Sequence, residues 1–372
     1  MGNVPNLRFP EFSGKWKKCT LGDITINFNL RNKEKIELPM YSVTNNRGFI
    51  PQSEQFEDRD MVGEDIKAYK IIHNKDFAYN PARINVGSIA KYNGSKPCMI
   101  SSLYVCFKAA NGIDEDWLMH LLRSPKIQYY YNINGEGGVR IYLFYPNFAR
   151  IRTSFPTIAE QRKIANLLSL LDARITTQNK IIEDLKKLKS AIYQNLFFHL
   201  QGDKVPLSEL AEIIKGQQIN GSELSENGKY YVMNGGITPS GYYDNYNTEA
   251  DTISISEGGN SCGYVQYNSS DFWSGGHCYT LRIKPTALIS TPFLFHFLKW
   301  KEPDIMALRS GSGLPNIQKK DLSKVCIIVP TLDEQQQLIA LLSTFQMKIE
   351  NEEIFTSNLN KQKQHLLSQM FI

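Results

Sequence analysis

The chain writes the same helix start twice. Residues 155–175 read FPTIAEQRKIANLLSLLDARI, and residues 329–349 read VPTLDEQQQLIALLSTFQMKI, 174 residues further on. A fixed internal period constrains a fold before any local reading does, because each copy carries the same face to bury. Aligned without a gap, 155–198 and 329–372 share 12 of 44 positions, among them Pro156/Pro330, Thr157/Thr331, Glu160/Glu334, Gln161/Gln335, Ser169/Ser343 and Lys189/Lys363. The preceding segments repeat more faintly. DFAYNPARINVGSIAKYN (76–93) and DTISISEGGNSCGYVQYN (251–268) match at an offset of 175 through Asp76/Asp251, Asn85/Asn260, Tyr92/Tyr267 and Asn93/Asn268, and Tyr104/Tyr279 share that offset. The Gly-bearing NGEGGVR and GSGLPNI stretches occupy similar places before each helix.

Both copies read as long helices. Thr157 with Glu160, and Thr331 with Glu334, have capping-box spacing, and a proline precedes each cap. The first apolar series is Ile164, Leu168, Leu171, Ile175, Ile182, Leu185, Ile192 and Leu196, with polar breaks at Gln178 and Lys189. The second is Leu338, Leu342, Phe345, Ile349, Leu359, Leu366 and Met370, broken at Glu352, Thr356 and Lys363. Steps alternating four and three make a coiled-coil seam. At 1.5 Å per residue, about 40 residues make a rod of roughly 60 Å. A single apolar stripe cannot bury itself, so the two copies are expected to pack on each other rather than each on its own domain alone. The expected fold class is α+β: two globular domains separated by two long antiparallel coiled-coil helices, as a pseudo-two-fold tandem repeat. The expected boundaries are 1–154 for the first domain, 155–200 for the first helix, 201–328 for the second domain and 329–372 for the second helix.

Charge is uneven. Residues 1–154 hold 21 Lys and Arg against 15 Asp and Glu, and residues 155–200 hold 7 against 4. Residues 201–328 hold 11 against 13, and 329–372 hold 3 against 5. The net +5 is a mild pointer to a polyanion, concentrated in the first half. No run of 18 apolar residues predicts a membrane span, and MGNVPNLRFPEF has no signal-like apolar stretch. The six cysteines form no CxxC pair, which predicts reduced, mostly buried thiols and a cytoplasmic setting. A 60 Å rod corresponds to about 18 base pairs at 3.4 Å each, a dimension that suits a ruler on duplex DNA.

Both heads are rich in short β-like runs, Tyr, Asn and Gly, with one short helical run each at 114–125 and 291–305. Polar, glycine-bearing loops on a sheet scaffold suit base-edge readout. The candidate DNA contacts in the first head are Arg47, Arg83, Asn85, Gly138 and Arg140. In the second they are Asn260, Ser310, Ser312, Lys319 and Lys320. Against these stand plainer readings: a solvated loop charge for Arg47, solvated lysines for 319 and 320, an Asn-held left-handed turn at 85 and 260, and ordinary hairpins for the Gly loops. Tyr129, Tyr130 and Tyr131 are expected in the core rather than stacking on bases. The candidate coiled-coil and partner positions are Ile164, Leu168, Leu171, Ile175, Ile182, Leu185, Leu338, Leu342, Phe345, Ile349, Leu359 and Leu366.

Two variable domains alternating with two PT-x-x-EQ…LL helices, with YNPARINVGSI and NGEGGVR in the first domain, resemble the specificity (S) subunit of Type I restriction–modification systems. The resemblance covers essentially the whole chain. It implies two target recognition domains, each reading one half of a bipartite site in double-stranded DNA, and helices that set the gap. It implies docking of two methyltransferase (M) subunits, with restriction (R) subunits joining through them. It implies no cofactor in this chain, with S-adenosylmethionine, ATP and Mg belonging to partner subunits, and no membrane partner. It delivers no base-reading residues, and the −2 of the second head departs from a broadly basic DNA surface.

Intrinsic catalysis finds little support. NPAR resembles the Asn-Pro-Pro-aromatic motif of adenine methyltransferases but lacks the second proline and the aromatic residue. No GxxxxGK[ST] and no HExxH occur, and the six histidines are scattered. The reading is a non-catalytic DNA-recognition and scaffolding subunit. The alternative is a duplicated protein-interaction adaptor on the same rod.

Overall fold

The computed structural model describes residues 4–54, 66–137, 141–311, 313 and 315–372. They divide into two compact units, Met1–Asn179 with Ile354–Ile372, and Lys180–Glu353. The sequence-predicted sites Gly138, Arg140 and Ser312 lie outside the described residues.

Each unit is built on one antiparallel four-stranded sheet. In the first the order is Thr25–Phe28, Val105–Ala109, Phe77–Tyr79, Ile89–Lys91. In the second it is Ala211–Lys215, Cys278–Ile283, Thr252–Ser256, Val265–Asn268. A separate two-stranded ribbon closes each head. Lys17–Thr20 pairs with Arg152–Phe155, and Asp203–Pro206 pairs with Cys326–Val329. The second strand of each ribbon leads straight into a long helix, so the ribbon fixes where that helix leaves its head. Around this shared frame the additions differ. The first unit carries the hairpin Tyr41–Thr44/Gly48–Pro51 and the pair Lys70–Ile72/Cys98–Ile100. The second carries Tyr230–Met233 between antiparallel Gly241–Tyr243 and parallel Trp273–Ser274.

The repeated motif forms helices Ile158–Phe198 and Leu332–Met370. They pack antiparallel, the start of each beside the end of the other. Ile164 and Leu168 share a core with Trp117, Leu367, Met370 and Phe371, and Phe197 shares one with Leu342, Phe293 and Phe297. The seam is legible as burial. Ile164, Leu168, Ile182, Leu342 and Ile349 are buried; Leu171, Ile175, Leu185, Leu338, Phe345, Leu359 and Leu366 are half-buried. The polar breaks obey the same spacing: Gln178 and Thr356 are buried and Glu352 half-buried. Within each unit the seam therefore runs through polar positions as well as apolar ones.

The Gln of the EQ pair has the same task in both copies. Gln161 is fully buried; its Oε1 accepts from Asp114 N (2.8 Å) and its Nε2 donates to Pro156 O (3.0 Å) and Gly112 O (3.3 Å). Gln335 is equally buried and accepts from Ser290 N (2.9 Å) while donating to Leu288 O (2.9 Å) and Pro330 O (3.0 Å). Asp114 and Ser290 are the N-caps of the head helices Glu115–Leu122 and Thr291–Trp300. Each Gln thus clamps a head helix to the start of a long helix.

The Glu beside it differs between copies. Glu334 completes the expected capping box, accepting from Thr331 N (3.0 Å) and Oγ1 (2.8 Å). Glu160 does not: its carboxylate is taken by Arg8 at 2.7 Å and by Trp16 Nε1 at 3.1 Å, leaving only Thr157 Oγ1 as a cap. A bidentate guanidinium outcompetes one exposed backbone N–H. Four cysteines are buried, Cys19 is half-buried and Cys326 is exposed; all six are free thiols.

Candidate nucleic-acid interface

In the first unit the hairpin turn at 45–47 and the loop at 80–88 meet. Gly48 sits at φ +67°, a left-handed conformation, and a Cβ there would lie 3.3 Å from Ala90 Cβ. Gly87, at φ +98°, would press a Cβ to 3.4 Å from Asn45 O. Ser88 Oγ donates to Val43 O at 2.9 Å and completes the contact. Arg83 is exposed on this loop, and Asn85 donates to Asn132 Oδ1 at 3.2 Å. Arg47 is exposed at the turn and pairs with exposed Glu54 at 2.8 Å. Such a pair contributes about 0–1 kcal/mol, so the guanidinium is readily surrendered to another anion. Two open grooves flank the turn. One of about 840 Å³ is lined by Asn45, Asn80, Arg83, Leu103 and Tyr104; the other, about 710 Å³, by Arg47, Lys91, Asn93 and Arg123.

A further backbone bridge lies on the same edge. Glu136 and Tyr142 exchange backbone hydrogen bonds at 2.8 Å, and Leu143 N donates to Pro81 O at 3.0 Å. The second unit repeats the arrangement at an offset of 174. Ser310 and Asn316 exchange bonds at 2.9 and 3.0 Å, and Ile317 N donates to Glu257 O at 2.8 Å. Exposed Asn260 and Ser310 thereby lie on two loops joined through Gly258 and Asn316. Exposed Lys319 and Lys320 open the short helix Lys319–Leu322 immediately after.

The turn residues are not the expected ones. Left-handed backbone belongs to Gly87, Gly259 and Gly263, while Asn85 and Asn260 have negative φ. Glycine takes that conformation without a Cβ penalty, which frees the Asn amides for other partners. Nor do the three tyrosines share one environment: Tyr131 is fully buried, Tyr130 half-buried and Tyr129 exposed. They stand on helix Pro125–Asn134, where 100° per residue turns consecutive side chains to different faces.

A second duplicated arrangement lies where each head helix meets the long helices. His120 Nε2 is 3.2 Å from Ser169 Oγ, with Asp172 paired to Lys363. At equivalent places stand His296, Ser343, Gln346 and Lys189, with Lys189 Nζ donating to Gln346 Oε1 at 2.6 Å. Burial pushes both imidazoles down to about 4. For His120, Asp172 opposes the shift; for His296, Lys189 adds to it. Both are neutral at pH 7. Among the described residues no group of three or more His, Cys, Asp or Glu could hold a metal ion, and no helix is long and apolar enough to cross a membrane.

Known proteins share this plan. A family model described as Type I restriction modification DNA specificity domain matches residues 202–359. A Mycoplasma pneumoniae protein named as a type I specificity subunit is 36% identical over 149 residues, 40% of this chain and 40% of its own length. A Methanocaldococcus jannaschii protein named as a type I restriction enzyme specificity subunit is 23% identical over 98% of this chain and 95% of its own. The crystal structure of the Type I system S subunit from M. genitalium superposes over 99% of both chains with a TM-score of 0.63 at 18% identity.

The chain is similar over its whole length to Type I restriction–modification specificity subunits, and its residues 202–359 match their DNA specificity domain. Its match spans about 40% of the length of the Mycoplasma pneumoniae relative. One residue of the second head stands out in the structure without a motif to announce it, Glu257. Its Oε1 accepts from Lys215 (2.7 Å) and Tyr279 OH (3.1 Å), its amide donates to His277 O (2.9 Å), and its carbonyl accepts from Ile317 N. One buried glutamate therefore ties three loops of the second head together. Burial, then the Glu257 charge, raises the Tyr279 hydroxyl to about 12, so it stays a donor. The only trace of Glu257 in the sequence is a charge directly before the Gly pair in SEGGNSCG.

Proposed function

We propose that this chain is a Type I specificity subunit that reads a bipartite site in double-stranded DNA, one half per head, and holds two methyltransferase subunits on its long helices. The observation that carries the reading is the pairing of one frame with two different sets of additions. The sheet order, the Gln clamp and the joined loops recur in both units, while the hairpins and small sheets around them differ. A duplicated frame supports presentation of two readers in equivalent poses; unlike surfaces support different half-sites. Arg47 and Arg83 in one head, and Lys319 and Lys320 in the other, supply phosphate contacts that set register without reading sequence. Loop amides supply base-edge contacts in the major groove. The helices set the gap between half-sites, on the order of 18 base pairs for a 60 Å rod.

The long helices also keep exposed apolar side chains suited to partners. Leu170, Ile354 and Phe355 are exposed in the first unit, and Leu188, Leu341 and Met347 in the second. Exposed apolar side chains on the long helices in both units support two copies of a methyltransferase subunit, with restriction subunits joining through these. No chemical step is assigned to this chain; methyl donor, ATP and Mg belong to the partners. The setting is the cytoplasm.

Methylome sequencing of cells carrying the complete system tests the reading. A methylated motif of two defined half-sites around an unspecified gap is expected, and the motif disappears when this chain is deleted. Absence of any such motif, with the purified assembly selecting no duplex from a random pool, would refute DNA reading and leave the protein-adaptor alternative.

A further inference from the structure

The backbone bridges Glu136/Tyr142 and Ser310/Asn316 stand at matched positions in the two heads, yet the side chains just beyond them are chemically opposite. In the first unit Tyr142 and Phe144 flank fully buried Leu143; in the second, Asn316 and Gln318 flank fully buried Ile317. The offset is 174 in each case, the same as for the backbone bridges that fix the loops. Alternation in extended chain turns both flanking side chains outward. Tyr142 and Phe144 are 39% and 49% exposed and stack on each other, with ring centroids 6.2 Å apart and planes 12° apart. Asn316 and Gln318 are joined by a hydrogen bond from Gln318 Nε2 to Asn316 Oδ1 at 3.0 Å.

These are not core positions, so packing explains neither pair. An exposed stacked pair of large apolar rings keeps surface in water at a cost that burial against a partner would recover. A joined Asn–Gln pair still offers one carbonyl and further amide hydrogens, a donor and acceptor set that matches the adenine N6/N7 edge. The surroundings fit a nucleic-acid ligand in both heads. The aromatic pair adjoins, through Leu143 and Pro81, the loop that carries Arg83 and Asn85; the amide pair runs directly into Lys319 and Lys320.

We propose that positions 142 and 144 in the first head, and 316 and 318 in the second, are corresponding specificity-determining pairs. The first makes apolar contact with thymine methyl groups, and the second makes bidentate hydrogen bonds to an adenine. The assignment rests on the proposed reading of DNA by both heads. It gives each head a different chemistry of discrimination on one shared frame.

The test uses the complete assembly and its own selected site. Asn316→Ala/Gln318→Ala lowers discrimination at one adenine of the second half-site by about 5- to 150-fold, the worth of a bidentate pair. The first half-site and the salt dependence stay unchanged. Tyr142→Ala/Phe144→Ala relaxes the first half-site alone. Base analogues test the same contacts without touching the protein. Replacing adenine by 7-deazaadenine in the second half-site removes the N7 acceptor and reproduces the amide variant. Replacing thymine by uracil in the first half-site weakens binding about fourfold for one lost methyl contact. Half-sites and affinities indifferent to both double variants and to both analogues would overturn the assignment while leaving DNA reading intact. A wild-type assembly that selects no sequence would instead overturn the reading beneath it.

Discussion

Replacing Gln335 by leucine removes one side chain and strands three backbone groups. Ser290 N loses its acceptor, and Leu288 O and Pro330 O lose their donor. Leucine nearly preserves volume, so cavity formation adds little. Gln335 is wholly inaccessible to solvent, and water cannot replace it without rearrangement. A net loss near 1 kcal/mol per hydrogen bond, with further desolvation cost for each stranded group, totals roughly 3–5 kcal/mol. Against the 5–15 kcal/mol typical of a domain this is a large fraction. At about 2–4 °C per kcal/mol for a unit of this size, the second unit's melting transition falls by about 10 °C. Differential scanning calorimetry on the full chain reads this directly. Gln161→Leu is expected to do the same to the first unit, through Asp114 N, Gly112 O and Pro156 O. Glu334→Ala is the control: it removes only an exposed cap, about 1 kcal/mol. If Gln335→Leu costs no more than Glu334→Ala, the clamp is not what fixes the head helix to the long helix.

Stability falls on mild acidification. His120 and His296 have folded-state values lowered by burial to about 4, so their contribution is complete above pH 6.5 and is lost as pH falls toward 4. Each then removes about 2 kcal/mol by pH 5; urea midpoints measured from pH 7.5 to 5 show the loss, and His296→Gln flattens it. Arg47→Ala with Arg83→Ala lowers non-specific duplex affinity and reduces the slope of log affinity against log salt by about 0.9 per lost phosphate contact, while the selected half-sites keep their letters. Unchanged slopes in a filter-binding salt series would remove both arginines from the interface. Deleting seven residues from each long helix shortens each rod by about 10 Å, or about three base pairs of gap, and leaves the half-sites unchanged; altered half-site letters in the methylome would refute the ruler.

The helices are legible in the sequence because burial repeats: the four–three pattern continues through Gln178 and Thr356, which the apolar count alone leaves out. The strand pairing within a head is not legible in the same way, since each sheet joins strands distant in sequence, such as Thr25–Phe28 and Val105–Ala109. Glu160 shows where local reading stops. Its spacing from Thr157 predicts a capping box, yet its partner Arg8 lies 152 residues away, and no local pattern reports that pairing. The loops at 80–88 and 257–263 are marked by glycine and asparagine, but the two exchange roles: glycine bends the chain and asparagine faces outward or bonds across to another element. Tyr129–Tyr131 divide between core and surface because a helix separates neighbours by 100°.

The duplication has been kept where side chains are enclosed and relaxed where they are not. Gln161 and Gln335 are buried and identical, and so, at the helix junctions, His120 and His296 hold equivalent places beside Ser169 and Ser343. The cations there come from the opposite long helix in each case: Lys363 reaches Asp172 of the first helix, and Lys189 reaches Gln346 of the second. Each unit is therefore completed by the far end of the helix that begins in the other. Phe371 packs on Trp117, and Phe197 on Phe293, at ring separations of 6.0 and 6.2 Å. A substitution at these junctions disturbs a head's anchoring to the helix pair, whereas one at Tyr142 or Gln318 meets no packing constraint. On the proposed reading, half-site preference can then vary on the exposed loops without altering the geometry that holds the readers.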